Sequence, residues 1–140
     1  MKKIDVYLAN LVVGNVLLHN LHWNVTGMNF KAVHEYLEGL YDEGFEYMDE
    51  VAEVQKQRGE TPKASMKDYL ELSTVEELES KDIDQKDAVK EALKYYKQME
   101  ELAREVREEY DGKCFMIANM MEDHIAHYMK EIWFMESMLK

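Results

Sequence analysis

Cysteine, proline and glycine are all scarce in this chain of 140 residues, which contains one cysteine, one proline and six glycines. Because proline and glycine interrupt helices, their scarcity favours an all-α protein, as do the abundant Glu, Lys, Leu, Ala and Met. The single cysteine, Cys114, excludes an intrachain disulfide and suits a reducing compartment. The length fits one domain over residues 1–140 with room for a substantial core.

Long apolar runs are also missing. The first residues lack the apolar stretch of a signal peptide, because Asp5 and Asn10 interrupt it. No run of about 18 consecutive apolar residues occurs, so no segment is expected to span a membrane. We therefore expect a cytoplasmic protein.

The chain has few basic residues: it contains 17 basic and 29 acidic residues, for a formal net charge of -12. A polyanion such as DNA is an unfavourable direct partner for such a chain at moderate salt, whereas cations are attracted to it. The alternative interpretation is that the acidic surface only keeps the protein soluble.

Apolar residues recur every three or four positions in four long segments, which predicts helices over residues 4–25, 29–58, 84–110 and 113–139. About 25 residues separate the second and third helices, and within them Met66 to Leu72 can form a short helix and Ser73 to Glu77 a further turn. Neighbouring helices of a bundle are usually joined by about two to eight residues, so this longer connection can travel the length of a bundle. The pattern predicts an all-α, ferritin-like four-helix bundle whose long crossover carries a short helix between helices 2 and 3.

A metal centre inside one such bundle usually takes Glu-x-x-His from two of its helices. None of the five histidines has a glutamate three positions earlier; those positions hold Val16, His19, Lys31, Met121 and His124. The ordinary carboxylate-bridged centre within one chain is therefore expected to be absent.

Two other pairs of potential ligands lie on the predicted second helix. His34 and Glu38 are near its start, Asp49 and Glu53 are near its end, and a spacing of four puts each pair on one helical face. The first helix adds a histidine-rich end over residues 19–24. Imidazole with carboxylates suits iron, with zinc or manganese as possible substitutes.

The distance between the two pairs prevents them from sharing a metal within one chain. His34 and Asp49 are 15 residues apart, about 22 Å along a helix, yet at about 100° per residue both pairs face a similar side. If this helix paired antiparallel with its copy about a two-fold axis, His34 and Glu38 of one chain would lie against Asp49 and Glu53 of the other. The crossing would fall near residues 43–44, where Gly44 would allow close backbone approach. The spacing thus predicts a metal site shared between two copies.

The residues that carry these ligands resemble a known family. The segment Leu18–Gly27 (LHNLHWNVTG), followed by Phe30, His34, Tyr41–Asp42 and Met48–Glu53 (MDEVAE), is similar in order and spacing to the Dps family, the mini-ferritins of starved cells. The motif covers about 40 residues, and the rest of the chain is compatible with it.

The resemblance implies an iron site with ligands from two chains: His22, His34 and Glu38 from one chain, and Asp49 and Glu53 from its neighbour. Trp23 would lie beside this site as a catalytic electron donor that quenches oxidising equivalents, unless it simply fills core space. The family forms hollow dodecamers of tetrahedral symmetry. Its members oxidise Fe(II), usually with hydrogen peroxide, and store ferric mineral, which protects against oxidative stress.

Many members of this family also bind DNA, often through a lysine-rich N-terminal extension. Only Lys2 and Lys3 precede the first predicted helix here, and only Lys140 follows the last one, so direct DNA binding is not expected. Two alternatives stay open: a DNA-compacting protein with secondary iron chemistry, and a metal-binding helical shell without redox activity.

Several residues have competing interpretations. His22 and His34 could be ordinary buried histidines, and His19 is expected beside the metal or on the surface rather than bound to it. The cluster at residues 122–127 (EDHIAH) could form a separate metal site, although plain polar residues on the last helix are favoured. Cys114 is expected to be a small buried hydrophobe or an incidental thiol.

Overall fold

The computed structural model describes residues 2–140, which form a helical bundle with five α-helices and one pair of two-residue strands. In chain order the elements are α1 (Lys3–Asn24), β1 (Val25–Thr26), α2 (Phe30–Gln57), α3 (Met66–Leu72), β2 (Ile83–Asp84), α4 (Gln85–Tyr110) and α5 (Phe115–Met138). The predicted bundle of four long helices, with a short helix in the crossover, is confirmed. The further turn expected at residues 73–77 is wrong, because these residues are not helical.

Most residues of helix α1 are buried in the bundle. The helix packs against α2, α3 and α4, while α4 and α5 pack against each other. Because α1 has neighbours on most sides, it is apolar on most sides rather than along one stripe. Tyr7, Leu8 and Leu11 on α1 are at most 2% exposed, and the same core contains Leu37 of α2 and Met99 of α4.

By length and composition alone, α1 would also be long and apolar enough to cross a membrane. Its best 18-residue window has a mean hydropathy of 1.3, although Asp5 and Asn10 interrupt its apolar residues. In the fold, however, 72% of that window is buried. Most apolar side chains of α1 are therefore already covered by the rest of the bundle.

The side chain of Asn10 holds the crossover against α1. Its Oδ1 atom accepts hydrogen bonds from the Ser73 hydroxyl (2.9 Å) and from the backbone N–H of Thr74 (2.8 Å). Its Nδ2 atom donates to Thr74 Oγ1 (2.9 Å). Asn10 is fully buried, and these bonds satisfy a polar group that would otherwise be costly in the core.

The two short strands close the crossover. Val25 and Thr26 pair in parallel with Ile83 and Asp84, so the segment after α1 lies beside the segment before α4. Asp84 then caps α4, because its carboxylate accepts from the backbone N–H of Lys86 at 3.0 Å. The strand pair thereby fixes the histidine-rich end of α1 beside the start of α4.

Two glycines allow α1 to approach its neighbours closely. A Cβ atom on Gly14 would overlap the ring of Tyr95 in α4, and a Cβ atom on Gly44 would overlap Oδ1 of Asn15. Gly44 is buried, so its close approach is to the first helix of its own chain. The expectation that Gly44 serves a crossing between two copies of α2 is therefore wrong.

Candidate metal centre

His22 and His34 face each other across the turn that joins α1 to α2. His22 Nδ1 donates to the carbonyl oxygen of His34 at 2.7 Å, and His34 Nδ1 donates to the carbonyl oxygen of His22, also at 2.7 Å. The two rings stack with centroids 3.7 Å apart and planes 13° apart. Because a carbonyl oxygen can only accept, each Nδ1 carries the hydrogen, so the neutral form of each ring has its lone pair on Nε2. A backbone carbonyl on Nδ1 is the usual support of a metal-binding histidine.

Glu38 lies beside these rings, one helical turn after His34. Its Oε1 atom is 4.0 Å from Nε2 of His22. The His22 side chain is only 6% exposed, whereas that of Glu38 is 53% exposed. The three predicted ligands from the first half of the motif are therefore together at the surface, with one buried imidazole and one accessible carboxylate.

Asp49 and Glu53 are not part of this group. Both are exposed on α2, and the 15 residues between His34 and Asp49 correspond to about 22 Å of helix. Within residues 2–140 of one chain, no group of three or more His, Cys, Asp or Glu side chains is placed to hold a metal ion. A complete set of five ligands would need a second chain.

Trp23 and His19 lie next to the histidine pair. Trp23 is 68% exposed, so the alternative that it fills the core of its own chain is wrong. Its ring is 5.4 Å from that of His19, which in turn stacks on Tyr41 at 3.8 Å. His19 Nδ1 donates to the carbonyl oxygen of Asn15 at 2.6 Å. These contacts place His19 in an aromatic group beside the candidate ligands.

The predicted alternative site at residues 122–127 does not come together. Glu122 pairs with Arg107 on α4 at 3.0 Å. His124 points into the core, where its Nδ1 is 2.8 Å from the hydroxyl of Tyr7, and His127 lies separately, near Tyr96. A second metal centre built from this cluster is therefore not formed in one chain over residues 2–140.

Burial of His124 makes the stability of the protein sensitive to acid. Burial, with a smaller contribution from His127, lowers the pKa of His124 from 6.5 to about 3. Between these values the unfolded chain binds a proton that the folded chain does not, so the contribution of His124 to stability is present above pH 6.5 and is lost as the pH falls. We expect a slope of about 1.4 kcal/mol per pH unit from this group.

The measurement is chemical denaturation at fixed protein concentration over that pH range, comparing wild type with His124→Gln. The variant is expected to lose stability less steeply on acidification, whatever its stability at neutral pH. Equal slopes for the two proteins would contradict this assignment.

Cys114 differs from the sequence expectation. It is half-buried at the N-cap of α5. Burial raises the pKa of its thiol, but hydrogen bonds from the backbone N–H groups of Ile117 and Met116 and from Arg58 outweigh this, and the net pKa is lowered. Cys114 is therefore a thiol in polar surroundings, so of its two expected characters the buried hydrophobe is wrong.

Comparison with known proteins agrees with this architecture. The family model described as a ferritin-like domain matches residues 1–140. The DNA protection during starvation protein of Helicobacter pylori is 32% identical over 135 residues, which cover 94% of this chain and 92% of that protein. The crystal structure of antigen TpF1 from Treponema pallidum has a TM-score of 0.95 at 29% identity and covers 99% of this chain and 89% of its own. A Dps protein from Bacillus brevis has a TM-score of 0.94 at 29% identity, covering 99% of this chain and 93% of its own. The chain therefore belongs to the ferritin-like family and, within it, to the DNA protection during starvation (Dps) proteins.

Proposed function

We propose that this protein oxidises Fe(II) at a site shared between two chains and stores the product as ferric mineral inside a hollow dodecamer built on two-fold dimers. The observation that carries the proposal is the reciprocal hydrogen bonding of His22 and His34, which leaves both Nε2 lone pairs free beside Glu38. Neutral imidazole nitrogen with carboxylate oxygen is a ligand set that suits iron, and zinc or manganese would be substitutes.

The second half of the site is proposed to come from a neighbouring chain. Asp49 and Glu53 are exposed on α2, and along this helix they lie about 22 Å and about 28 Å from His34. In an antiparallel two-fold pairing of α2, these carboxylates meet His22, His34 and Glu38 of the other chain. The symmetry makes the exchange reciprocal, so each dimer holds two equivalent sites.

The reaction transfers two electrons from a pair of Fe(II) ions to hydrogen peroxide, with dioxygen as the other candidate oxidant. The O–O bond breaks, two protons are taken up, and two Fe(III) ions and two water molecules result. Carboxylates at the site offset the rising positive charge as Fe(III) forms, which favours oxidation over Fe(II) binding alone. Because both electrons are delivered at one site, hydroxyl radical need not be released.

Trp23 is proposed to supply single electrons beside the site. Its exposed indole ring is adjacent to His19, which lies one turn before His22. An incomplete oxidation event would then remove an electron from the indole instead of damaging the ligands.

Charge and redox context fit this function. The net charge of -12 attracts Fe(II) and disfavours direct contact with DNA. A reducing cytoplasm keeps both the Fe(II) substrate and the single thiol of Cys114 in the reduced state. Protection against peroxide would then come from removing peroxide and free Fe(II), and not from covering DNA.

The name of the relatives, DNA protection during starvation protein, keeps DNA compaction as a second candidate function. Retardation of duplex DNA by the pure protein at physiological salt would favour that role. Absence of ferric absorbance after Fe(II) and peroxide addition would instead favour a non-redox shell.

The test of the proposed function is the solution mass and the Fe(II) oxidation rate before and after addition of hydrogen peroxide. Wild type is expected to have the mass of a dodecamer and to acquire an electron-dense ferric core. In the double variant His34→Ala with Asp49→Ala, oxidation is expected to fall to the rate without protein, while Glu101→Ala, an exposed carboxylate on α4, keeps the wild-type rate. Wild-type oxidation by the double variant, or a monomeric mass, would refute the proposal.

A further inference from the structure

A group of aromatic side chains occupies the interior of the bundle, apart from the candidate metal centre. Its members are the aromatic cluster: Tyr7, Tyr47, Tyr95, Tyr96 and Tyr128 with His124 and His127. All five tyrosines are buried. Neighbouring ring centroids are between 3.6 and 6.2 Å apart, so the rings form a continuous path through the core.

The hydrogen bonds at the centre of the aromatic cluster have a defined direction. His124 Nε2 is 3.3 Å from Oε1 of Glu50, and a carboxylate oxygen accepts, so Nε2 carries the hydrogen. Nδ1 of the neutral ring is then an acceptor, and the Tyr7 hydroxyl donates to it at 2.8 Å. The oxygen of Tyr7 remains free to accept from the hydroxyl of Tyr128 at 2.6 Å.

The buried hydroxyl of Tyr7 therefore has a proton acceptor, Nδ1 of His124, as its hydrogen-bond partner. Burial raises the pKa values of Tyr7 and Tyr128 well above the usual value, so both remain protonated under ordinary conditions. Loss of an electron changes this, because an oxidised phenol is a far stronger acid than an imidazolium ion. A proton acceptor already in place removes the need to create a separated charge pair in the core.

We propose that Tyr7 and His124 form a buried proton-coupled redox pair that captures single oxidising equivalents. In the oxidation step the O–H bond of Tyr7 breaks, its proton forms a bond to Nδ1 of His124, and its electron leaves through the stacked rings. The products are a neutral phenoxyl radical and an imidazolium ion beside the carboxylate of Glu50.

The oxidant is a one-electron oxidant of the hydroxyl-radical class, which Fe(II) and hydrogen peroxide generate when peroxide is reduced by one electron. The electron from Tyr7 converts such a radical to hydroxide. Tyr47, stacked on His124 with centroids 3.6 Å apart, and Tyr96, 5.2 Å from Tyr128, extend the route toward half-buried His127. Because an electron can pass between rings this close together, the oxidant does not need to enter the core.

The pair is restored by a second one-electron reaction. Fe(II) gives one electron to the phenoxyl radical and becomes Fe(III), while the proton on Nδ1 of His124 returns to the oxygen of Tyr7. Over one cycle a hydroxyl radical and an Fe(II) ion are consumed, and the protein is unchanged. This activity goes beyond the proposed two-electron oxidation, and it needs neither His22, His34 and Glu38 nor a second chain.

Tyr96 is also buried beside an imidazole, but its hydroxyl is 3.4 Å from Nε2 of His127, a longer contact than the 2.8 Å between Tyr7 and His124. Tyr69 and Tyr36 have partners of another kind. Tyr69 donates to the carbonyl oxygen of Lys63 at 2.7 Å, and a carbonyl does not accept a full proton at neutral pH. Tyr36 donates to the carboxylate of Glu131 at 2.5 Å but is only partly buried. Tyr69 therefore provides a matched control, and Tyr36 and Tyr96 are the competing positions for the radical.

The experiment uses the assembled, iron-free protein and a photogenerated ruthenium(III) tris-bipyridine oxidant, with the radical trapped by freezing and observed by electron paramagnetic resonance. Wild type is expected to give a long-lived tyrosyl signal, Tyr7→Phe to lose it, and Tyr69→Phe to keep it. A signal that persists in Tyr7→Phe, or that is lost in Tyr36→Phe, would overturn the assignment.

A second measurement needs no substitution and so remains valid if Tyr7→Phe does not fold. Wild type is exchanged into heavy water, and electron–nuclear double resonance is used to detect a deuteron hydrogen-bonded to the phenoxyl oxygen. We expect two coupled deuterons, one on Nδ1 of His124 and one on the hydroxyl of Tyr128, and a single coupled deuteron would overturn the proposal. Because no iron is present, neither outcome depends on the interfacial metal site.

Discussion

Two inactive variants are expected to recover about one quarter of the wild-type Fe(II) oxidation sites when they are assembled together. The variants are His34→Ala and Asp49→Ala, each of which should be inactive alone because every site lacks one ligand. In a mixed dimer, one site loses both ligands, whereas the other receives His34 from one chain and Asp49 from the other. Random assembly of equal amounts yields mixed dimers in about half of the cases, each with one complete site of two.

The measurement is Fe(II) oxidation with hydrogen peroxide by the two variants purified separately and after co-expression. The matched control is co-expression of His34→Ala with the double variant His34→Ala and Asp49→Ala, in which no pairing can complete a site. Recovery in the first mixture alone would establish that the ligands come from two chains. Failure of the first mixture, with assembly intact, would show that the site lies within one chain.

Replacing Gly14 by alanine is expected to destabilise the fold by about 3 kcal/mol, although alanine normally favours helices. The added methyl group would overlap the ring of Tyr95, which is buried in α4. Moving that ring away would also disturb the hydrogen bond from the Tyr95 hydroxyl to the carbonyl oxygen of Asn10, now 3.1 Å long. The loss therefore combines overpacking with a weakened buried hydrogen bond.

Stability is measured by denaturant unfolding at one protein concentration, because assembly makes the midpoint depend on concentration. The same substitution is made in a Tyr95→Leu background, where the smaller side chain leaves room for the methyl group. There Gly14→Ala should cost much less, as expected for two residues in direct contact. An unchanged midpoint for Gly14→Ala in the wild-type background would contradict the overlap.

Local sequence patterns were sufficient to predict the helices and the short helix of the crossover. The spacing of apolar residues and the breaks at Gly27, Gly59 and Gly112 act over a few neighbouring residues, and each of these glycines has a positive φ angle. The contacts of Gly44 could not be predicted in this way. Its role depends on which face of α2 meets Asn15, which follows from the packing of whole helices and not from the glycine itself.

The candidate site was only partly predictable for the same reason. A spacing of four placed His34 and Glu38 on one face, but the mutual hydrogen bonds of His22 and His34 depend on the path of the intervening turn. The aromatic cluster was not predicted, because Tyr7 and His124 are separated by 117 positions and meet only when α1 and α5 share a core. A cluster of this kind is hard to predict from short sequence motifs, because each of its residues alone resembles an ordinary core residue.

The hydrogen bonds between His22 and His34 have a consequence for how this chain can change during evolution. Each ring fastens the end of one helix to the start of the next, so each substitution would remove a support of the turn as well as a metal ligand. A typical buried hydrogen bond contributes about 1 kcal/mol to stability, and a carbonyl group left without its donor would add a further cost. Selection for a stable fold alone would therefore retain both histidines through generations in which iron is scarce, and the capacity to bind iron would be inherited with them.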